Sequence, residues 1–314
     1  MTALAVHGEK RYVGAGWPAW RLHRTALFTS AAVLGGLVIA LLVTGLKIRD
    51  AFSAVGLDTC GPHCTDQQYE TFTAQANTWG LWTQYFALLP GLLGMFVGAP
   101  LVAREYETGT FRFAFTQGIT PLRLIVTKLL LLGGALVAMT LAFGALFHWW
   151  YTPIADSVKD RLGPWAYQAD GVYLAAGTLF AFAFGVLVGA VIRRTVPAML
   201  VTLVFWAVTF GVDWKVVRPT FEAPIVAPTS DLAGTPARPW IVDAWHVDPA
   251  GHRLSNAEWN ALVAHEHTSG YVAWSSFEPG DRFWHFQLLD AAGLVTGAVL
   301  FALAAIWWLR RRPT

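Results

Sequence analysis

Apolar positions in this chain come in long blocks rather than in alternating stripes. The first block, Leu27 to Leu46, contains no charge and is bracketed by Arg21 and Arg24 before it and by Lys47, Arg49 and Asp50 after it. A helix needs roughly 20 apolar residues to cross a hydrocarbon core. Five further blocks reach or approach that length: Trp79 to Ala103, Leu124 to Trp150, Val172 to Ile192, Val196 to Val212 and Leu288 to Trp308. The pattern therefore predicts an all-α membrane protein with six transmembrane helices. Pro90 and several glycines lie inside the second block, which helices in lipid tolerate, and its length allows it to tilt or kink. The fourth and fifth blocks are separated only by Arg193, Arg194 and Thr195, so these helices must be antiparallel neighbours. Lys128 stands near one end of the third, where its flexible stem can snorkel to the interface.

The stretches between blocks divide the chain. Residues 1–26 form an N-terminal segment in which Arg11 to Arg24 combines Trp17, Trp20 and Leu22 with basic residues. That content predicts a short helix lying in the membrane interface, with Pro18 in its first turn. A disordered basic tail is the alternative. Residues 27–212 hold the first five helices and a connecting segment, 104–120; residues 213–286 form an enlarged loop; residues 287–314 hold the sixth helix and a basic tail. Charge then sets the orientation. With the N-terminus inside, thirteen Lys and Arg face the cytoplasm against nine outside, and three acidic residues against sixteen, as the positive-inside rule requires. Both termini are expected in the cytoplasm, the 213–286 loop outside, and the first span as an anchor rather than a cleaved signal peptide.

Composition agrees with a bilayer as the main solvent: 55% of residues are hydrophobic and 13% charged, and many of the sixteen Trp lie near block ends, the aromatic-belt position. The net charge of +2 gives no reason to expect a nucleic-acid partner.

Candidate chemistry is sparse. Cys60 and Cys64, the only two cysteines, flank Gly61-Pro62-His63 in the first outer loop. Their spacing and oxidising side predict a local disulfide, with free thiols or a metal clip through His63 as the other reading. His246, His252, His265 and His267 lack ligand spacing, and no metal site is expected. Asp290 stands at the start of the last block, where a solvated or hydrogen-bonded helix-end role competes with a proton-relay or substrate role. No second carboxylate lies inside a predicted span. Aromatic residues available to a substrate pathway include Phe86, Phe96, Phe180, Phe182, Phe184 and Phe205.

The connection from Arg104 to Gly118 interleaves Arg104, Glu105, Glu107 and Arg112 with Tyr106, Phe111, Phe113 and Phe115. Such a mixture suits an interfacial helix that offers polar groups to a cytoplasmic partner, or a solvated turn. From Ala103 to Lys128 the chain resembles the type-2 ABC exporter permeases of bacteria, especially those of actinobacteria. The resemblance is carried by Arg104-Glu105, by Gly109-Thr110 shortly after Glu107, by Gln117, and by Arg123 and Lys128 at the next helix start. The six-span layout agrees more loosely, and the Trp-rich outer loop is larger than the family pattern. The resemblance implies a multi-pass permease of the bacterial plasma membrane that is not itself an enzyme. It implies a second permease subunit, of the same or another chain, and cytoplasmic ABC ATPase subunits that hold ATP and Mg. Arg104, Glu105, Glu107, Gly109, Thr110, Arg112 and Gln117 would couple to that ATPase. The cargo class it implies is hydrophobic or amphipathic, a drug, peptide or lipid-like molecule exported by alternating access, with Phe86, Phe96, Phe182, Phe205 and Asp290 as pathway candidates. The chain contains no Gly-Lys dipeptide, so a phosphate-cradling P-loop is absent and ATP hydrolysis is expected on a separate chain. Two other classes compete: a membrane-embedded enzyme using the outer His and Asp residues, and an ATPase-recruiting sensor or scaffold without transport.

Overall fold

The computed structural model describes residues 16–60, 63–109, 121–158, 162–234, 239–264 and 269–311. Among these, six helical segments are long and apolar enough to cross a membrane: Phe28–Ala54, Trp82–Glu107, Ile125–Ala155, Tyr173–Ile192, Thr195–Thr220 and Gly280–Arg311. Each grows from one apolar block of the sequence. Helix α1 (Gly16–Ala54) runs unbroken, so residues 16–24 of the expected interfacial segment are helical as a continuation of the first span. Residues 11–15 of that segment lie outside the described residues.

Helix α2 (Asp66–Gly80) was not legible as an apolar block. Its entry is a capping box in which the Thr65 N–H donates to Gln68 Oε1 at 2.8 Å and the Gln68 N–H to Thr65 Oγ1 at 3.4 Å, satisfying two of the donors that a helix start leaves unpaired. Phe72 and Ala76, one turn apart, are buried against α1 and α5 (Pro121–Val158).

The second span is irregular. It opens as a 3-10 coil over Leu81–Leu88, becomes α3 (Leu89–Leu93), widens to a π turn over Gly94–Gly98 and ends as α4 (Ala99–Glu107). Pro90 and Pro100 occupy the first turns of α3 and α4, where a missing N–H costs least. With α7 (Tyr173–Ile192) this span forms the interior: 78% and 67% of their apolar windows are buried, against 17–33% for the other four. The reason is local and backbone-deep. Two small-residue motifs, Gly94-x-x-x-Gly98 and Gly185-x-x-x-Gly189, face each other. A Cβ at Gly94 would lie 2.6 Å from the Ala181 carbonyl oxygen, at Gly98 2.5 Å from that of Phe182, at Gly185 2.7 Å from that of Gly94, and at Gly189 2.4 Å from that of Ala99. Main chains meet with nothing between them, the close approach that favours helix association in lipid.

Helix α7 also packs against α5, against α8 (Thr195–Val212) and against α10 (Phe283–Arg311). Between α5 and α7 the short helix α6 (Pro164–Ala169) closes one end of the bundle. The segment between α8 and α10 folds at that same end, and it corrects the all-α expectation: β1 (Ile225–Pro228), β2 (Trp240–Val247) and β3 (Val272–Glu278) form an antiparallel sheet in the order β1-β3-β2. Trp245 pairs with Trp274, and the register shifts between Ile241 and Asp243, bulging β2 at Val242. These strands are short and half-buried, so they never built a block that block-reading detects. Helix α9 (Asn256–Ala264) starts on a second capping box, Ser255 with Glu258. Arg282, just before α10, pins the sheet by pairing with Glu222 at 2.7 Å and Glu278 at 2.5 Å.

The glycine contacts give a direct test. Gly189→Ala is expected to lower stability in detergent by about 1–3 kcal/mol, because the carbonyl it would strike is main chain and cannot rotate away. Gly36→Ala, where nothing lies within 4 Å of the added carbon, should leave the unfolding temperature unchanged. Equal melting of the two variants would contradict the packing described.

Candidate functional site

Two polar clusters stand at opposite ends of the apolar bundle. The first is where α4 leaves it. Leu101, Val102 and Ala103 are buried, whereas Arg104, Glu107, Thr108 and Gly109 are exposed. Glu105, one turn beyond Leu101, ion-pairs with Lys128 of α5. That lysine is only 2% exposed, so it does not snorkel as expected; the carboxylate next to it supplies what the interface would have. Tyr106 lies under the guanidinium of Arg193, 4.6 Å from the ring centre. Glu107 accepts the Thr195 N–H at 3.0 Å and the Thr195 hydroxyl at 2.5 Å. Arg194 at the N-cap of α8 makes no side-chain cap, so Glu107 fills that role from another helix, at the positive end of the α8 dipole.

Arg193 itself adopts a left-handed conformation, φ 58°, and ends α7 with its N–H on the Gly189 carbonyl. Gly109, also left-handed at φ 68°, follows the C-cap Thr108 of α4 and gives its N–H to the Tyr106 carbonyl at 3.3 Å. One turn of α4 is thereby tied to α5 and to the α7–α8 turn at once. Of the residues singled out in the sequence, Arg104, Glu105, Glu107 and Gly109 belong to this cluster. Thr110, Arg112 and Gln117 lie outside the described residues.

The second cluster lies at the sheet-bearing end, and it shows two corrections. The fifth span does not stop at Val212: a π turn over Asp213–Val217 and a 3-10 turn over Arg218–Thr220 prolong it. Asp213 therefore lies within the fifth span rather than in the loop, and Asp290 is neither alone nor solvated, being 5% exposed and hydrogen-bonded. Hydropathy falls at Asp213 while the helix continues, so the apolar pattern alone puts this residue in the loop. Arg218, fully buried, lies between the two: its Nη2 donates to Asp213 Oδ2 at 3.3 Å and its Nε is 3.6 Å from Asp290 Oδ2. Its guanidinium covers the Tyr167 ring at 3.6 Å, a cation–π contact strengthened by exclusion of water.

Tyr167 donates to Asp290 Oδ2 at 2.5 Å and Tyr173 to Asp213 Oδ2 at 3.0 Å. Burial, then the Asp290 carboxylate, push the Tyr167 hydroxyl far above the usual phenol range, so it remains a donor. One turn before Asp290, Gln287 accepts the N–H groups of Val172 and Tyr173 at 3.1 and 2.9 Å and donates to the carbonyls of Tyr167 and Asp170 at 2.7 and 3.1 Å. The cluster thus fastens α6, α7, the end of the fifth span and α10 together. One cation faces two carboxylates there.

The aromatic candidates do not converge on one surface. Phe86 is buried against Phe143 and Phe147, and Phe182 among Leu93, Val97 and Leu132. Phe96 is 55% exposed. Phe205 stacks on Phe184 at 3.6 Å between centroids and neighbours Phe180 and Phe301, the last of which carries no signal in the apolar pattern of its block. Beyond the spans, Cys60 and Cys64 are disulfide-bonded with Cα atoms 5.0 Å apart. His246 stacks on Trp259, 3.5 Å between ring centres, and His252 contacts Asp248. His265 and His267 lie outside the described residues.

A family model described as "ABC-2 membrane transporter related" matches residues 31–218, more than half of the chain. No curated protein and no solved structure matches it.

Two measurements probe these clusters. Glu105→Ala strands the Lys128 ammonium in the bundle and should destabilise the protein by about 3–5 kcal/mol, whereas Glu105→Gln combined with Lys128→Met should recover most of the loss. Thermal unfolding in detergent distinguishes the two, and a double variant as unstable as the single one would refute the pairing. In the second cluster Arg218→Met leaves two carboxylates without their cation and should cost at least as much. Asp213→Asn leaves one carboxylate per arginine and should cost distinctly less; the reverse order would contradict the charge balance described.

Proposed function

The chain belongs to the ABC-2 membrane transporter related family, and on that premise we propose that it is the membrane-spanning permease subunit of an ATP-driven exporter. The end carrying Arg104, Arg123, Lys128, Arg193, Arg194, Arg310 and Arg311 faces the cytoplasm, in keeping with the positive-inside rule. There the segment that begins at Arg104 receives a cytoplasmic ABC ATPase, which holds ATP and Mg. A second permease subunit completes the pathway, in the plasma membrane of a bacterium, and the cargo is hydrophobic or amphipathic. The sheet-bearing segment stands outside.

The observation that carries this reading is the three-way tie of the last turn of α4. A coupling segment must bias two arrangements of the spans, and it does so only through contacts that differ between them. Glu105 with Lys128, Tyr106 with Arg193 and Glu107 with Thr195 give a force on this turn direct purchase on the third, fourth and fifth spans. Arg104, exposed beside them, is available to the ATPase. Glu105 then acts as a positioning residue rather than as the contact itself.

The test uses the permease co-purified with its ABC ATPase and reconstituted in vesicles. Glu107→Ala is exposed and removes only the cap on α8, so assembly and basal ATP hydrolysis should persist. Stimulation of hydrolysis by amphipathic dyes should fall about tenfold, the effect of losing a charge-assisted bond from one of two states. Thr195→Ala should weaken the stimulation less, because its N–H remains. Stimulation equal to the parent in both variants would sink the coupling role, and failure of any ABC ATPase to co-purify with the parent chain would sink the transporter reading.

A further inference from the structure

At the sheet-bearing end, α1 and α5 leave between them a cleft of 270 Å³ lined by Arg49, Phe52, Ser53, Thr152 and Pro153. Its construction begins with the proline. Pro153 lies inside α5, so it has no N–H to give the carbonyl of Trp149, four residues earlier. Arg49 of α1 supplies the missing donor: its Nη2 bonds that carbonyl at 2.5 Å. The guanidinium also lies over the Trp149 ring, 4.3 Å from its centre. A backbone oxygen and an aromatic face thus hold the cation in one place while using one of its five N–H donors. Among the described side chains, which do not include that of Asp156, no carboxylate pairs with Arg49. The adjacent Lys47 and Asp50 are exposed, and Asp50 points about 100° further round the helix. The remaining donors and the Ser53 hydroxyl border the cleft, and so does the Thr152 hydroxyl, whose proton is held by the His148 carbonyl at 2.7 Å.

What lies below the cation on the same helix face completes the picture. Ile39, Leu42, Leu46, Arg49 and Ser53 follow one another at spacings of three and four, a single stripe of α1. Ile39, Leu42 and Leu46 are 64%, 42% and 57% exposed. Leu42 is about 10 Å from Arg49 along the axis. A fixed cation with a serine hydroxyl near one end of the first span, continued by an uncovered apolar stripe along the helix, has the shape of a complement to one amphiphile.

We propose that this cleft binds the phosphate of an anionic phospholipid, with the acyl chain laid along Ile39, Leu42 and Leu46. Planar, forked donors suit a phosphate better than a point charge does. The proposal requires only the six membrane spans and does not depend on the transport reading.

The experiment places the purified protein in nanodiscs of phosphatidylcholine containing phosphatidylglycerol, extracts it gently, and counts retained lipids by native mass spectrometry. Phosphatidylglycerol should be retained in preference to phosphatidylcholine. Arg49→Gln should reduce that retention about tenfold, as loss of a charge-assisted contact implies, and Arg49→Lys should reduce it less. Ser53→Leu fills the cleft from an exposed position while keeping the Arg49 charge and should abolish the preference even if Arg49→Gln proves unstable. Lys47→Gln, which removes an exposed charge on the same helix, should have no effect. Equal retention of the two lipids by the parent, or unchanged retention in both Arg49→Gln and Ser53→Leu, overturns the proposal. Displacement of the lipid by millimolar inorganic phosphate would overturn it as well, by showing a site for the free anion.

Discussion

Everything in this bundle is arranged around two main chains in contact. The second span and α7 meet through Gly94, Gly98, Gly185 and Gly189, where an added carbon would lie 2.4–2.7 Å from a carbonyl oxygen. In lipid there is no hydrophobic gain from bringing apolar helices together, so close van der Waals approach must supply the association. That constraint accounts for the irregular second span. A 3-10 coil and a π turn change the residue register so that both glycines of its motif face α7, and the two prolines fall where helical turns begin. The other four spans pack around this pair and keep much of their apolar surface for lipid or for another chain.

A dry interior pushes polar work to the two ends. At one end a lysine and a glutamate neutralise each other while neighbouring residues join α4 to the α7–α8 turn. At the other, Arg218 lies between Asp213 and Asp290 under a lid of aromatic rings. Neither cluster crosses the bundle. Any coupling between them would have to pass through helices moving as bodies, with α7, which reaches both ends, as the shared element.

Six spans and the positions of most of their ends were legible because an apolar block of 20 residues has no other stable use. The GxxxG pairs were equally visible as letters, yet a motif in one helix says nothing of which helix it meets. Helix α2 and the three strands were hidden for a different reason: their apolar residues are few and one-sided, and sheet pairing joins β1 to residues some fifty positions away. Asp213 was misplaced because composition turns polar before the helix ends. Glu105 was visible as a charge at the end of an apolar block but not as the partner of Lys128, since 23 residues separate them in the chain. The disulfide required no such long-range information: its two cysteines lie four residues apart.

Gln287 has a consequence for which sequences this fold admits. Its single amide group accepts from two N–H groups at the start of α7 and donates to two carbonyls of the α6 turn. A carboxylate in its place accepts but cannot donate; an ammonium donates but cannot accept; asparagine carries the same group one carbon short. Position 287 thus holds a grammatical constraint unrelated to hydropathy: a word that must be both subject and object. Polar letters inside apolar blocks of this kind mark junctions between helices, and a chain that drifts freely across its lipid-facing surface has almost no synonyms there.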